Sequence, residues 1–558
     1  MNFADKTIYQ VYLKSFKDSN GDGIGDLKGI TEKLDYLQHL GIDYIWITPF
    51  FVSPQNDNGY DVADYYEIDK IYGTMADFDE LVAEAKKRNI EIMLDMVFNH
   101  SSTEHEWFKK ALAGDKKYQD YYIFKKSEEG VLPTNWQSKF GGTAWEYSKE
   151  LGMYYLHLYD KTQADLNWDN PQVREELANV VKFWLNKGVN GFRFDVVNLI
   201  SKPEKFEDDD TGDGRKFYTD GPNIHKYLKE LNKNSFGQKE GIITVGEMSS
   251  TSIENCFEYA GEETGELSMV FNFHHLKVDY KNKDKWALMP FDFFELKNLL
   301  NKWQIEMQEH KAWNALFWCN HDQPRIVSRF GNDKDERLWK KSAKMLGGVI
   351  HLLRGVPYIY QGEEIGMTNA YFNSIEKYKD IESLNYYKIL VNKGCSKEEA
   401  LKIIQERSRD NGRTPVQWTK EENGGFTTGT PWIDMVDNYK KINVESQLND
   451  EHSILNFYRK LIKLRKDYKI IAFGKTVPLL EKHSKVFAYK RVDETEELLV
   501  LANFYNEDTI AELNIDTTGY RCILTNKEEE ESKDLKEEVL KEKMILKPYD
   551  ILAFYKEK

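Results

Sequence analysis

The sequence predicts a closed (β/α)8 TIM barrel with a small domain inserted after its third strand and an all-β sandwich at its C-terminal end. Three observations carry this. Eight short runs rich in β-branched and aromatic residues alternate with helical patterns, the signature of a parallel sheet with crossover helices, and eight such strands close a barrel. The alternation breaks once, between residues 101 and 170, in irregular text rich in Trp and Tyr. Beyond residue 470 only short strands with turn residues between them follow. At 558 residues the chain exceeds the roughly 250–300 at which a single core stops growing, so several units are expected. We expect 1–100 and 171–470 to form the barrel, 101–170 the inserted domain and 471–558 the sandwich.

The elements follow in order. IYQVY (8–12) reads as the first strand, the helical GITEKLDYLQHLG (29–41) follows, and YIWIT (44–48) is the second strand. FDELVAEAKKRN (78–89) supplies the next helix and IEIMLDMVFNH (90–100) the third strand. After the insertion a helix ends near Leu185. The remaining strands are GFRFDVV (191–197), GIITVGE (241–247), MVFNF (269–273), ALFWCNHD (315–322) and VPYIYQG (356–362). A doubly wound open sheet would ask for a Gly-rich phosphate turn after the first strand, and none is present. The long polar stretch 368–437 after the eighth strand predicts a lid, because long loops in compact barrels are usually functional.

Composition narrows the function. With a formal net charge of −16, the chain lacks the basic balance a nucleic-acid binder needs, so no nucleic-acid partner is expected. No run approaches the 18 or so apolar residues of a membrane span, and the start MNFADKTIYQVY has no secretory pattern, so no membrane partner is expected either. Cys256, Cys319, Cys395 and Cys522 are scattered, without a CxxC pair, which fits free thiols in a reducing cytoplasm.

The chemistry sits at the strand ends. Asp95, Asn99 and His100 lie on the third strand, Arg193 and Asp195 on the fourth, Glu247 at the end of the fifth, His321 and Asp322 on the seventh. The C-terminal ends of barrel strands meet at one face, so these distant residues converge on one mouth. A single strand-end Asp is commonly a loop cap; several together point to a site. Carboxylates suit glycoside hydrolysis, whose transition state is positive: one attacks, and a second, kept protonated by burial and neighbouring negative charge, protonates the leaving oxygen. A catalytic metal centre is the rival chemistry, but no HExxH or Cys framework is present.

A metal loop is readable independently. In Asp18-Ser-Asn20-Gly-Asp22-Gly23-Ile24-Gly-Asp26, oxygen ligands recur at positions 1, 3, 5, 7 and 9 with Gly at 6, as in an EF-hand loop, and Ile24 contributes its carbonyl. Position 12 is Gly29 rather than a bidentate Glu, so this is not a full EF-hand. A plain Asp/Asn/Gly turn would share the composition, but three crowded carboxylates repel without a cation. A structural Ca²⁺, with Mg²⁺ as the other candidate, is expected, and no organic cofactor.

The segments DMVFNH (95–100), QADLNW (163–168), GFRFD (191–195), VGE (245–247) and NHDQPR (320–325) resemble the signature segments of the α-amylase family. The resemblance spans the whole chain. It implies a retaining glycoside hydrolase with Asp195 as nucleophile, Glu247 as acid/base and Asp322 as a third acid that binds sugar hydroxyls. It also implies that Arg193 holds Asp195 ionised and that His100 and His321 bind the sugar in the −1 subsite. DNGYD (57–61) and RDNGRTPVQW (409–418) are similar to the exo-acting α-glucosidase branch. There Asp57 and Arg413 are expected to pair and close the pocket, with Tyr60 stacked on the terminal glucose. Resembling glucosidases carry an ion at the Asp18–Asp26 loop.

The stretches 217–232, 244–256 and 271–286 are most similar to the branch that hydrolyses trehalose 6-phosphate, with oligo-1,6-glucosidases as the alternative. FNFHHLKVDYKNKDKW (271–286) places His274, His275, Lys277, Lys281, Lys283 and Lys285 after the sixth strand of an acidic protein. A phosphate on the substrate's leaving sugar would explain that basic run, and His274, Lys277 and Lys285 are the candidate ligands. A solvated Lys-rich loop is the competing account of Lys281 and Lys283. Val196 does not separate the two branches. The expected partner is therefore a small phosphorylated disaccharide.

Overall fold

The computed structural model describes residues 3–527 and 539–558. Its centre is a sheet of eight parallel strands: β1 Ile8–Val11, β2 Tyr44–Ile47, β3 Glu91–Met96, β4 Gly191–Phe194, β5 Ile243–Glu247, β6 Met269–Phe271, β7 Ala315–Leu316 and β8 Val356–Tyr360. They run in the order β6-β5-β4-β3-β2-β1-β8-β7. A parallel bridge from Val270 to Asn314 joins the two ends and closes the barrel. The strands are buried on both faces, which is why they read as continuous apolar runs.

Each strand is shorter than the run that announced it, β3 and β7 most of all. β3 ends at Met96, and His100–Ser102 turns away to pair antiparallel with Gln163–Asp165. The turn is fastened by Trp168, whose indole donates to the Phe98 carbonyl at 2.8 Å. That pairing ties the start of the 101–170 segment to its end beside the barrel mouth. β7 keeps only two paired residues because the chain then bends. The indole of Trp318 donates to Leu346 at 2.7 Å, and Asn320 Oδ1 accepts the Asp322 N–H at 2.8 Å. The helical run after β1 is likewise broken at Lys33, into Leu27–Glu32 and Leu34–Leu40.

Helix starts follow their capping chemistry. Thr74 and Asp77 form a reciprocal capping box for Met75–Lys87, and Asn170 followed by Pro171 opens Pro171–Asn186. The 368–437 stretch is not structureless. It contains helices Ile381–Asn392 and Lys397–Arg407, then the single turn Asp410–Arg413.

The C-terminal strands are β9 Lys475–Leu479, β10 Val486–Val492, β11 Glu496–Asn503, β12 Thr509–Glu512, β13 Arg521–Thr525, β14 Lys543–Leu546 and β15 Ile551–Glu557. All pair antiparallel, in a five-stranded sheet β9-β10-β11-β15-β13 and a two-stranded sheet β12-β14. Alternation divides the larger sheet's faces. Phe487, Tyr489, Leu498 and Val500 join a core shared with the barrel, while Ala488, Leu499, Leu501 and Phe554 pack with Ala511 and Leu546 of the smaller sheet. Among the described residues no helix is long and apolar enough to cross a membrane.

Candidate active site

One pocket opens at the C-terminal ends of the barrel strands. Its lining includes Asp57, Tyr60, His100, Asp195, Glu247, Asp322 and Arg409, here called the inner part, and Lys139, Phe140, Ser249, Lys277, Lys285 and Glu382, the outer part. The centre of the site is Arg193, projecting inward from β4 and 1% exposed. Its Nη1 donates to Asp95 at 2.7 Å and to Asp195 at 2.6 Å, and its Nη2 donates to Glu247. Asp95 also accepts from the Tyr60 hydroxyl at 2.9 Å and the Trp46 indole at 3.1 Å. The guanidinium is therefore held from below and offers its charge to two carboxyls that face the pocket.

Those two carboxyls do not titrate alike. Burial raises Asp195 to about 6, with Arg193 opposing and Asp95 adding to the rise. Burial raises Glu247 further, to about 8, with Arg193 opposing and the negative charges of Asp195 and Asp322 adding. Near neutrality Asp195 is thus the ionised member and Glu247 the protonated one, the division of labour a nucleophile and an acid require. Val196, directly after Asp195, adopts φ 38°, a left-handed conformation that costs a β-branched residue energy. The turn points its N–H at Glu247 Oε2, 3.4 Å away.

The inner wall is built of neutral imidazoles and paired charges. His321 stacks on Tyr60 with ring centroids 5.1 Å apart, and its Nδ1 lies 2.8 Å from Gln10 Nε2. His100 Nε2 donates toward the Tyr60 carbonyl at 3.1 Å. Burial lowers His321 to about 3 and His100 to about 4, so both rings are neutral near pH 7. Burial opposes ionisation of Asp322 too, but His321, Arg409, Arg413 and Arg193 together hold it far below the usual carboxylate range. Asp57, with burial dominating over Arg409 and Arg413, is raised to about 7.

The expected Asp57–Arg413 pair is not formed. Arg413 donates to Asp322 Oδ1 at 2.7 Å and to the His321 carbonyl at 3.0 Å. Asp57 instead meets Arg409 Nη2 at 3.3 Å and accepts from Gln163 at 3.1 Å. Arg409 also bonds Asp380 at 2.6 Å and reaches Asp322 at 3.3 Å. Arg409, Asp380 and Gln163 are not among the expected site residues, although Gln163 and Arg409 open two of the segments that carry the resemblance. The signal for Arg409 was present in RDNGR, where two arginines lie four apart on one turn of chain.

The outer wall departs further from expectation. Lys277 lines the pocket, as expected of a phosphate ligand, and among the described residues no carboxylate lies within 4.0 Å of it. Lys285 lines the pocket but is neutralised by Glu382 at 2.6 Å. His274 does not line the pocket: the 3₁₀ turn His274–Leu276 sends its ring against Trp303, with centroids 5.5 Å apart. Lys281 and Lys283 do not line it either. Lys139, which no motif marked, does line it; its Nζ donates to Ser249 Oγ at 3.1 Å.

The Asp18–Asp26 loop lies apart from this pocket. Successive turns are closed by Asp18 accepting from Asn20, Asn20 from Asp22 and Asp22 from Ile24, each at 2.9 Å. Gly23 has φ +91°, and a Cβ there would meet the Thr430 carbonyl at 1.9 Å. Asp26 Oδ1 caps the following helix through Gly29 N–H, and its Oδ2 accepts from Ser19. Among the described residues, the trio of His, Asp or Glu whose ligand atoms come within 4.8 Å of one another is His225, Glu258 and Glu266, elsewhere on the molecule.

Comparison with known proteins agrees with this geometry. The α-amylase catalytic domain model matches residues 10–474. The trehalose-6-phosphate hydrolase of Bacillus subtilis is 51% identical, over 98% of this chain and 97% of its own. The oligo-1,6-glucosidase of Bacillus cereus is 47% identical over 99% of each. The crystal structure of Bacillus licheniformis trehalose-6-phosphate hydrolase superposes with a TM-score of 0.94 at 53% identity, covering 100% of this chain and 99% of that one. With a barrel whose strand ends gather these acids around one arginine, and with a family match over most of its length, the chain belongs to the α-amylase family of glycoside hydrolases.

Proposed function

We propose that the protein hydrolyses trehalose 6-phosphate to glucose and glucose 6-phosphate with retention of the α configuration. The observation that carries this reading is the contrast inside one pocket. The charges of the inner part are paired, whereas Lys139 and Lys277 at the outer part have no carboxylate within 4.0 Å among the described residues. In a chain of net charge −16, unpaired ammonium groups beside the leaving-group position call for an anionic ligand. The relatives named for trehalose 6-phosphate, at 51% and 53% identity, favour the same substrate over the oligo-1,6-glucosidase at 47%.

In this reading the non-reducing glucose enters the inner pocket against Tyr60, His100 and His321, with Asp57, Asp322, Arg409 and Arg413 meeting its hydroxyls. Asp195 attacks C1 as the C1–oxygen bond breaks, and Glu247 gives its proton to that oxygen. Glucose 6-phosphate departs, leaving a β-glucosyl ester on Asp195. Glu247, now a carboxylate, takes a proton from water, whose oxygen attacks C1 and releases α-glucose. Arg193 favours the ionised form of Asp195 before attack and after release. The barrel (1–100 and 171–470) supplies the acids, the inserted domain (101–170) supplies Lys139 and Phe140, and the C-terminal domain (471–558) supplies none of these side chains. Lys277 is the phosphate ligand retained from the expected trio; Lys285 would act only by exchanging Glu382 for phosphate.

The Asp18–Asp26 loop suits a structural Ca²⁺ or Mg²⁺, because its donor set is all oxygen and Gly23 allows the sharp turn. Asp18, Asn20, Asp22 and Asp26 side chains and the Ile24 carbonyl would hold the ion, which would brace the loop after β1 and take no part in bond cleavage. Free thiols at Cys256, Cys319 and Cys395 suit a reducing cytoplasm. Initial rates on trehalose 6-phosphate, trehalose and isomaltose test the substrate. Preference for trehalose 6-phosphate is expected; preference for isomaltose would make the enzyme an oligo-1,6-glucosidase.

A further inference from the structure

Lys139 and Ser249 come from different parts of the chain and meet at the outer wall of the pocket. Ser249 lies two residues beyond Glu247 and lines the same pocket. Its segment is held rigidly: its N–H donates to Asn198 Oδ1 at 2.8 Å, and its carbonyl accepts from Asn198 Nδ2 at 2.9 Å. Its Oγ already accepts from Lys139 Nζ, so its own O–H remains to donate into the pocket. Apart from Lys277, the other lysines named around the site are matched. Lys285 is paired with Glu382 at 2.6 Å, and Lys202 with Asp165 at 2.8 Å. Lys139 has no carboxylate within 4.0 Å among the described residues. We propose that Lys139 and the Ser249 hydroxyl form the wall of the phosphate subsite opposite Lys277, and that Lys139 is a specificity-determining residue contributed by the inserted segment. This rests on the trehalose 6-phosphate reading.

The electrostatics of the position support it. Burial, then the positive charges of Arg215 and Lys277, bring the Lys139 ammonium down to about 7, while Asp213 and Glu247 oppose weakly. An ammonium crowded by two cations and matched by no neighbouring carboxylate is stabilised when a dianion enters. Phosphate would neutralise both lysines at once and accept the serine proton, whereas an uncharged leaving group would meet none of these donors.

The test compares three substrates in the wild type and in Lys139→Met, Lys139→Arg and Ser249→Ala. A wild type without preference for trehalose 6-phosphate over trehalose would overturn the functional reading, and this inference with it, before any variant is made. Given that preference, Lys139→Met should lower kcat/KM on trehalose 6-phosphate about ten- to a hundredfold, chiefly through KM, and weaken inhibition by glucose 6-phosphate in parallel. Its rate on p-nitrophenyl α-glucoside should stay within about twofold, and Lys139→Arg should recover most of the loss. Ser249→Ala should show the same pattern with a smaller loss. Equal losses on both substrates, or unchanged inhibition by glucose 6-phosphate, would overturn the proposal. If Lys139→Met does not fold, the Arg and Ala variants decide: both indistinguishable from wild type on trehalose 6-phosphate and in glucose 6-phosphate inhibition would overturn it.

Discussion

The two halves of the pocket handle charge in opposite ways. In the inner half, Arg193 is divided among Asp95, Asp195 and Glu247, and Arg409 and Arg413 among Asp57, Asp322 and Asp380. Such a network is already organised before a sugar arrives, and buried groups fixed in this way stabilise charge that develops during reaction without reorganising. In the outer half no neighbouring carboxylate balances Lys139 or Lys277, and burial lowers the pKa of both. The inner half is thus complementary to a reaction and the outer half to a ligand. On the proposed reading, the same physics, burial of charge, serves catalysis where partners are provided and specificity where they are withheld.

Substitutions that break the inner half should act on every substrate. The largest effect is expected of Asp195→Asn, which removes the nucleophile: turnover of trehalose 6-phosphate and of p-nitrophenyl α-glucoside should both fall more than about a thousandfold, or ~4 kcal/mol of barrier. Steady-state rates check this, and ¹H NMR of the first product should show α-glucose from the wild type. Glu247→Gln comes next, at about 10²–10⁴-fold on trehalose 6-phosphate. The loss at the glycosylation step should be far smaller with p-nitrophenyl α-glucoside, whose leaving group needs no proton. The pH profile sharpens the same point. Asp195 must be ionised, so the rate rises with pH through about 6. Glu247 must carry its proton, so the rate falls through about 8. In pre-steady-state measurements on the aryl glucoside, Glu247→Gln should abolish the alkaline limb and keep the acid one.

Substitutions in the outer half should discriminate. Lys277→Met is expected to cost about ten- to a hundredfold in kcat/KM on trehalose 6-phosphate and almost nothing on the aryl glucoside. Added salt should erode the wild-type preference in the same direction. Equal losses on both substrates would mean that Lys277 is structural and would dissolve the comparison. The smallest effect on rate is expected from exhaustive chelation. Loss of an ion at the Asp18–Asp26 loop should lower the melting temperature by about a few degrees and leave both substrates' kcat/KM within about twofold, because the loop lies outside both halves.

The barrel and the inner acids were legible in the sequence because strand identity and strand-end position are local facts. Asp195 follows an apolar run and Glu247 ends one, and the architecture does the rest. Pairing was not legible. The Asp57–Arg413 pair was implied by the resemblance to the α-glucosidase branch, but the turn Asp410–Arg413 directs Arg413 to Asp322 and leaves Arg409 for Asp57. His274 was grouped with Lys277 by proximity along the chain, yet three residues of a 3₁₀ turn separate their directions. Lys139 was invisible because it lies in irregular chain, where no periodicity says which way a side chain points. Strand length was over-read at β3 and β7 for a related reason: apolar residues continue beyond the point where backbone pairing ends.

The closed inner end has a consequence for timing. In the proposed binding mode the glucosyl unit that enters first lies deepest, against Tyr60 and the buried Asp57–Arg409 pair, with His321 and Arg413 packed behind them. It can leave only through the opening that the second sugar occupies. Departure is therefore ordered: the phosphorylated product vacates the mouth, water follows it in, and glucose exits last. No chain can slide through such a dead end, so each catalytic cycle ends in complete emptying, and the enzyme cannot work its way along a polymer without letting go.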